Sequence, residues 1–115
     1  IGKVLLANAP AAFIDELLAR GVKRFTPYTL TDRDALAQEL AKVRAQGYAV
    51  GCNETIEGVT CIAVPVHDAT GKVAAALSVS SASSMLAAQR HATLINLLRE
   101  QAGKIARRLG YQAGL

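Results

Sequence analysis

Tryptophan is missing from this sequence, and aromatic residues make up only 4% of its 115 positions. A core cannot be built on large rings here, so Leu, Val, Ile and Ala must supply it, with helices packed closely over a sheet. Cysteine is almost as scarce, with only Cys52 and Cys61. Their spacing matches neither a metal site nor a dense disulfide framework, which points to reduced thiols in a cytosolic protein. No signal-peptide pattern is visible and no apolar run approaches the ~20 residues that a spanning helix needs, so no membrane partner is expected. A Walker loop and a G-x-G-x-x-G turn are absent as well. His67, His91, Cys52, Cys61 and the Glu54/Glu57 pair show no spacing that selects a metal. Neither metal nor cofactor is therefore expected. An initiator Met is lacking too; Ile1 opens in mid-pattern, and the chain reads as a piece of something longer.

Hydrophobic residues make up 51% and charged residues 19%, the balance of a globular chain with room for one core. The net charge of +4 is scattered rather than gathered into a stripe. Its densest cluster, Lys104, Arg107 and Arg108, falls at the end of a predicted helix, where the dipole favours cations. That is a solvated helix end rather than a nucleic-acid face, which would need basic residues along one side.

Local signals divide the chain into helices and strands. Gly2–Ala7 is short and apolar, compatible with the end of a helix. Asn8 is the expected cap of the next helix, with Pro10 in its first turn and Gly21 as its stop; Phe13, Ile14, Leu17 and Leu18 form its apolar stripe. Val22–Leu30 reads as a connector whose Thr26-Pro27 pair favours extended backbone. Thr31 or Asp32 then caps a helix with Leu36, Leu40 and Val43 inward, ended by Gly47. Tyr48–Cys52, Val59–His67 and Val73–Ser80 read as strands, the last two joined by a turn with Gly71 free to take positive φ. Pro65 lies within the middle strand, so one of its edges should be unpaired or bulged there. Leu86–Leu109 is a long helix with Leu94, Leu98, Ile105 and Leu109 at helical spacing, and Gly103 within it suggests a close approach or a bend. The order gives an α+β domain, an antiparallel sheet flanked by helices.

The stretch with most chemical content is Gly58–Ser84, GVTCIAVPVHDATGKVAAALSVSSASS. Alternation places Ser78 and Ser80 on one face of their strand. With Cys61 on the neighbouring strand, they could look into one hollow, where a few polar groups orient a mostly apolar guest. The alternatives are serines facing solvent or bonded to backbone, and a Cys61 that is simply a small buried side chain. Catalysis lacks support. His67 lies on the same strand as Cys61, about 20 Å away at ~3.3 Å per residue, and no sequence-local group completes a relay.

These same residues resemble a known family. Thr26-Pro27 with Thr29-Leu30-Thr31-Asp32, the run RAQGYAV over Arg44–Val50, and GVTCIAVPVHDATGKVAAALSVS look like the effector-binding domain of IclR-type bacterial transcriptional regulators. The resemblance implies a GAF-like fold over residues 1–115 with a metabolite in a cup on one side. It also implies a homodimer or homotetramer, and DNA bound only through a winged helix-turn-helix that this chain lacks, along with the opening segment of the effector domain. Carried onto this sequence, the ligand positions are Ile1 and Gly2 at a helix start, Val59, Cys61, Ser78 and Ser80. One departure stands out. Where the family has acidic residues directly after the Tyr-Ala-Val strand, this chain reads Gly51-Cys52-Asn53, with Glu54 the first acid. A lost carboxylate would leave room for a bulkier carboxylic acid, an aromatic one among them. Two other readings are a redox enzyme using Cys52 or Cys61, which needs an exposed, activated thiol, and a purely structural dimerisation module.

Overall fold

The chain begins with a short helix that must hide Val4 and Ala7, and everything nearby is arranged to receive it. In a computed structural model, which describes residues 1–21 and 23–112, helices α1 (Gly2–Ala7), α2 (Ala11–Arg20) and α3 (Arg33–Gln46) come first. Strands β1 (Ala49–Cys52), β2 (Val59–His67) and β3 (Val73–Ala82) follow, and α4 (Ala88–Arg108) closes the order. The strands form one antiparallel sheet in the order β1-β2-β3.

Capping chemistry explains both boundaries of α3. Asp32 accepts a hydrogen bond from the Ala35 amide at 2.9 Å, the side-chain cap that starts α3. Gly47 ends α3 at φ 78°, a left-handed conformation that glycine adopts without a Cβ penalty. Asn8 departs from expectation. It ends α1, its side-chain amide donating to the Val4 carbonyl at 2.8 Å, while Pro10 takes the cap position of α2. The connector's Val22 lies outside the described residues.

Two dry layers sandwich the sheet. On one face Val4 and Ala7 of α1 meet Leu36, Leu40 and Val43 of α3 over Ala49 and Ala63, with Ala76 packed at the margin. On the other, α4 lays Ala102 and Ala106 against Val64 and Val66, with Leu98, Leu77, Tyr48 and Tyr111 around them. The buried side of α4 is thus Ile95, Ala102 and Ala106, whereas Ile105 and Leu109 are 41% and 47% exposed. Alanines hide in a hydropathy stripe, yet their small size lets a helix lie close to a sheet. Gly103 has no such role: a Cβ there would meet nothing nearer than the Arg107 side chain at 3.8 Å, and α4 runs unbroken through it.

The Pro65 expectation finds a simple geometry. Pairing with β1 ends at Ala63, so Pro65 has a strand neighbour on one side only, Ala76 of β3. A residue without an N–H is tolerated there because no ladder bond is needed toward β1. The irregularity in pairing falls one step later, between Val66 and His67.

Candidate functional site

Register decides which side chains share the cup face. Cys61 pairs with Gly51 on one side and Ser80 on the other, and Ala63 pairs with Ala49 and Ser78. These six residues therefore lie on one side of the sheet, the side that α1 covers. Coverage is incomplete: α1 shields the Ala63 end but stops short of the Val59 end.

There a hollow of about 490 Å³ opens, within the size range of small-ligand pockets. Val59, Cys61 and Ser80 form its floor with Ala49, Gly51 and Ala63, and Ile1, Gly2 and Lys3 form one wall. Glu54, Thr55 and Ile56 from the β1–β2 loop form the other.

Five of the six positions expected from the sequence are thus brought together: Ile1, Gly2, Val59, Cys61 and Ser80. Ser78 is not among the lining residues. It has the right face and is half-buried, standing opposite Ala63 at the margin of the hollow, whereas Ser80 lines it and is exposed. Strand alternation assigns a face; how far a covering helix extends is a tertiary matter. The helix start contributed by Ile1 and Gly2 belongs to a helix of only six residues, too short to gather much dipole.

What sequence reasoning missed is the charged group beside the floor. The Lys3 ammonium donates to the Val50 carbonyl at 2.8 Å and pairs with Glu54 Oε1 at 3.1 Å and Glu39 Oε1 at 3.3 Å. A single lysine early in an otherwise apolar helix was the available signal. The acid believed lost is also present. Glu54 folds back so that its Oε2 lies 3.1 Å from the point a Cβ on Gly51 would occupy. The room expected after the Tyr-Ala-Val strand is therefore filled by the carboxylate of Glu54, three residues further on.

The loop that carries Glu54 is built for this reversal. Asn53 sits at φ 61°, a left-handed conformation that Asn tolerates better than most residues, and its side-chain oxygen accepts from the Gly58 amide at 2.7 Å. The Thr26 hydroxyl donates to the Asn53 carbonyl and the Thr29 hydroxyl to the Glu54 carbonyl. The Thr-Pro-Tyr-Thr connector thus braces the loop from behind.

The thiols do not act together. Cys52 pairs with Thr60 and Cys61 with Gly51, neighbouring register positions, so the two sulfurs face opposite sides of the sheet. His67 stacks on Tyr111 with ring centroids 5.1 Å apart, and His91 Nε2 bonds the Leu86 carbonyl at 3.0 Å. Among the described residues no cluster of three metal-ligating side chains occurs, and no helix is long and apolar enough to cross a membrane.

A helix-flanked antiparallel sheet with an open, mostly apolar cup on one face is the architecture of a small-molecule-binding type of domain. The chain belongs to the family described as bacterial transcriptional regulator IclR C-terminal, whose model matches residues 1–107. It is 39% identical over 110 residues to the HTH-type transcriptional repressor AllR of Klebsiella pneumoniae, covering 95% of this chain and 40% of that protein. The C-terminal domain of the Escherichia coli transcriptional regulator KdgR superposes with TM-score 0.87 at 39% identity, over 96% of this chain and 68% of that one. The inducer-binding domain of the PobR transcription factor from Acinetobacter, a double mutant in complex with 3-hydroxybenzoic acid, gives TM-score 0.86 at 36% identity, over 91% and 61%. The chain spans less than half the length of curated relatives such as AllR. These relatives are regulators and repressors, not enzymes.

Proposed function

We propose that this domain senses a small carboxylic acid in the hollow above Cys61 and Ser80 for a cytoplasmic transcriptional regulator that binds DNA through another part of the protein. On this reading residues 1–115 form one effector-binding unit. The observation that carries it is the cross-strand Cys61–Ser80 pair, a thiol and a hydroxyl in register on the floor of an open cup of about 490 Å³. An aromatic acid is the favoured class. Its support is the 3-hydroxybenzoic acid held by the PobR inducer-binding domain, not spare room beside Gly51.

Signal transmission would be a population shift in a dimer or tetramer. The acid changes the balance only as far as it prefers one arrangement of the subunits, and ~1–3 kcal/mol of coupling suffices. Calorimetric titration with 3-hydroxybenzoate, benzoate, pyruvate and glyoxylate tests the reading. At least one acid should bind, and Ser80→Ala should weaken it about five- to tenfold, the worth of one hydrogen bond. The melting temperature should be unchanged and Ser78→Ala should be silent. Tight binding of glyoxylate or pyruvate alone would remove the aromatic preference, and no binding of any acid would remove the sensor.

A further inference from the structure

The charge count at the hollow is unbalanced. Among the described residues that line it, Lys3 is the one basic side chain, and it already faces two carboxylates, Glu39 and Glu54. An anion entering with both in place would bring a third carboxylate to a single ammonium. Like charges crowded at a partly buried site disfavour each other, so the sensing role proposed above needs a way to relieve them.

The two glutamates are held differently. Glu39 is fixed in the middle of α3, whereas Glu54 projects from the β1–β2 loop, whose residues Thr55, Ile56 and Glu57 are exposed. Glu54 packs close over Gly51 as it reaches Lys3, since a Cβ there would stand 3.1 Å from Oε2 and the carboxylate would have to give way slightly. The Lys3 side chain is only 15% exposed and would be costly to leave unpaired.

We propose that Glu54 holds the place of the effector's carboxylate on Lys3, and that binding exchanges one carboxylate for the other. This rests on the sensing role and adds its selectivity and its first step. Lys3 stays paired throughout, the effector takes the Oε1 position, and the Glu54 side chain swings into water. The loop backbone remains tied to Thr26 and Thr29 through the carbonyls of Asn53 and Glu54. An uncharged analogue cannot take part, because it offers Lys3 no counter-charge.

Calorimetry on the full chain and its Glu54→Gln variant, with 3-hydroxybenzoate and pyruvate beside their amides 3-hydroxybenzamide and pyruvamide, decides the matter. Glu54→Gln keeps the shape of the side chain and removes the competing charge. It should tighten the binding acid about tenfold and leave the amides unchanged, in the range measured for single charges at binding sites. An acid that binds only after the substitution makes Glu54 a block rather than a placeholder, and overturns the exchange together with the sensing role. An acid that binds the unaltered chain but binds the variant no better overturns the exchange and leaves the sensing role standing. No acid bound by either protein overturns both.

Discussion

The two faces of the sheet differ in how completely they are closed, and that difference separates stability from function. Toward α4, β2 presents Ile62, Val64 and Val66, each at most 2% exposed. Toward α1 it presents Val59, Cys61 and Ala63, of which only Ala63 is buried. One strand therefore carries a sealed core on one side and a partly open cup on the other. The contrast follows from what covers each face: α4 is 21 residues long and α1 only six. A short helix over a long strand leaves an uncovered end, and the polar side chains gather there.

The strongest test of this contrast is in the sealed face. Ile62→Ala should cost about 4 kcal/mol in chemical denaturation, the transfer and cavity cost of a fully buried aliphatic side chain. A loss below 1 kcal/mol would mean that this face is not closed. The matching change on the open side, Cys61→Leu, should behave in the opposite way. Unfolding free energy should shift by less than ~1 kcal/mol, because the added carbons enter empty space, while calorimetry should show acid binding lost. Destabilisation with binding intact would place Cys61 in the core instead.

Smaller effects refine the picture. Asp32→Ala removes the cap of α3, which backs the cup, and should cost ~1 kcal/mol by thermal melting; no change would show that the tertiary packing of Leu36, Leu40 and Val43 holds that end unaided. The smallest effect lies at the far hairpin. The Thr70 hydroxyl at 2.6 Å and the Thr70 amide at 2.8 Å, with help from Lys72, hold the Asp68 carboxyl below its ordinary value of 3.8. A carboxyl lowered in the folded state contributes stability above its unfolded value and loses it as pH falls through the lower folded one. Titration of Asp68 followed by NMR should therefore have its midpoint below 3.8, and Thr70→Ala should move it upward. The hollow should not respond, since four residues of β2 at ~3.3 Å each separate even Ala63, the lining residue nearest in sequence, from Asp68.

Much of this architecture was legible beforehand for definite reasons. The β2–β3 hairpin follows from two apolar runs around Asp68–Gly71, and the cap and stop of α3 from Asp32 and Gly47. The face shared by Ser78, Ser80 and Cys61 follows from a period of two. The inward side of α4 was read only in part: Leu98 does pack against the core, but Ala102 and Ala106 carry little hydropathy and packing selects them for size, while Ile105 and Leu109 are exposed. Asn8 was assigned to the wrong helix because a residue between two helices can end one as readily as begin the next. The pairing of Lys3 with Glu54 was passed over because 51 positions separate them in sequence.

Sequence alone determined the order of elements, the hairpin and its turn, and the family, because these depend on local backbone preference and on patterns repeated every two or four residues. Tertiary structure decided where the cup ends, that Ser80 reaches it and Ser78 does not, and that Glu54 returns to fill the space over Gly51. Those outcomes depend on the length of a covering helix and the path of a loop. Both are set by contacts between residues distant in the chain, and no local pattern encodes them.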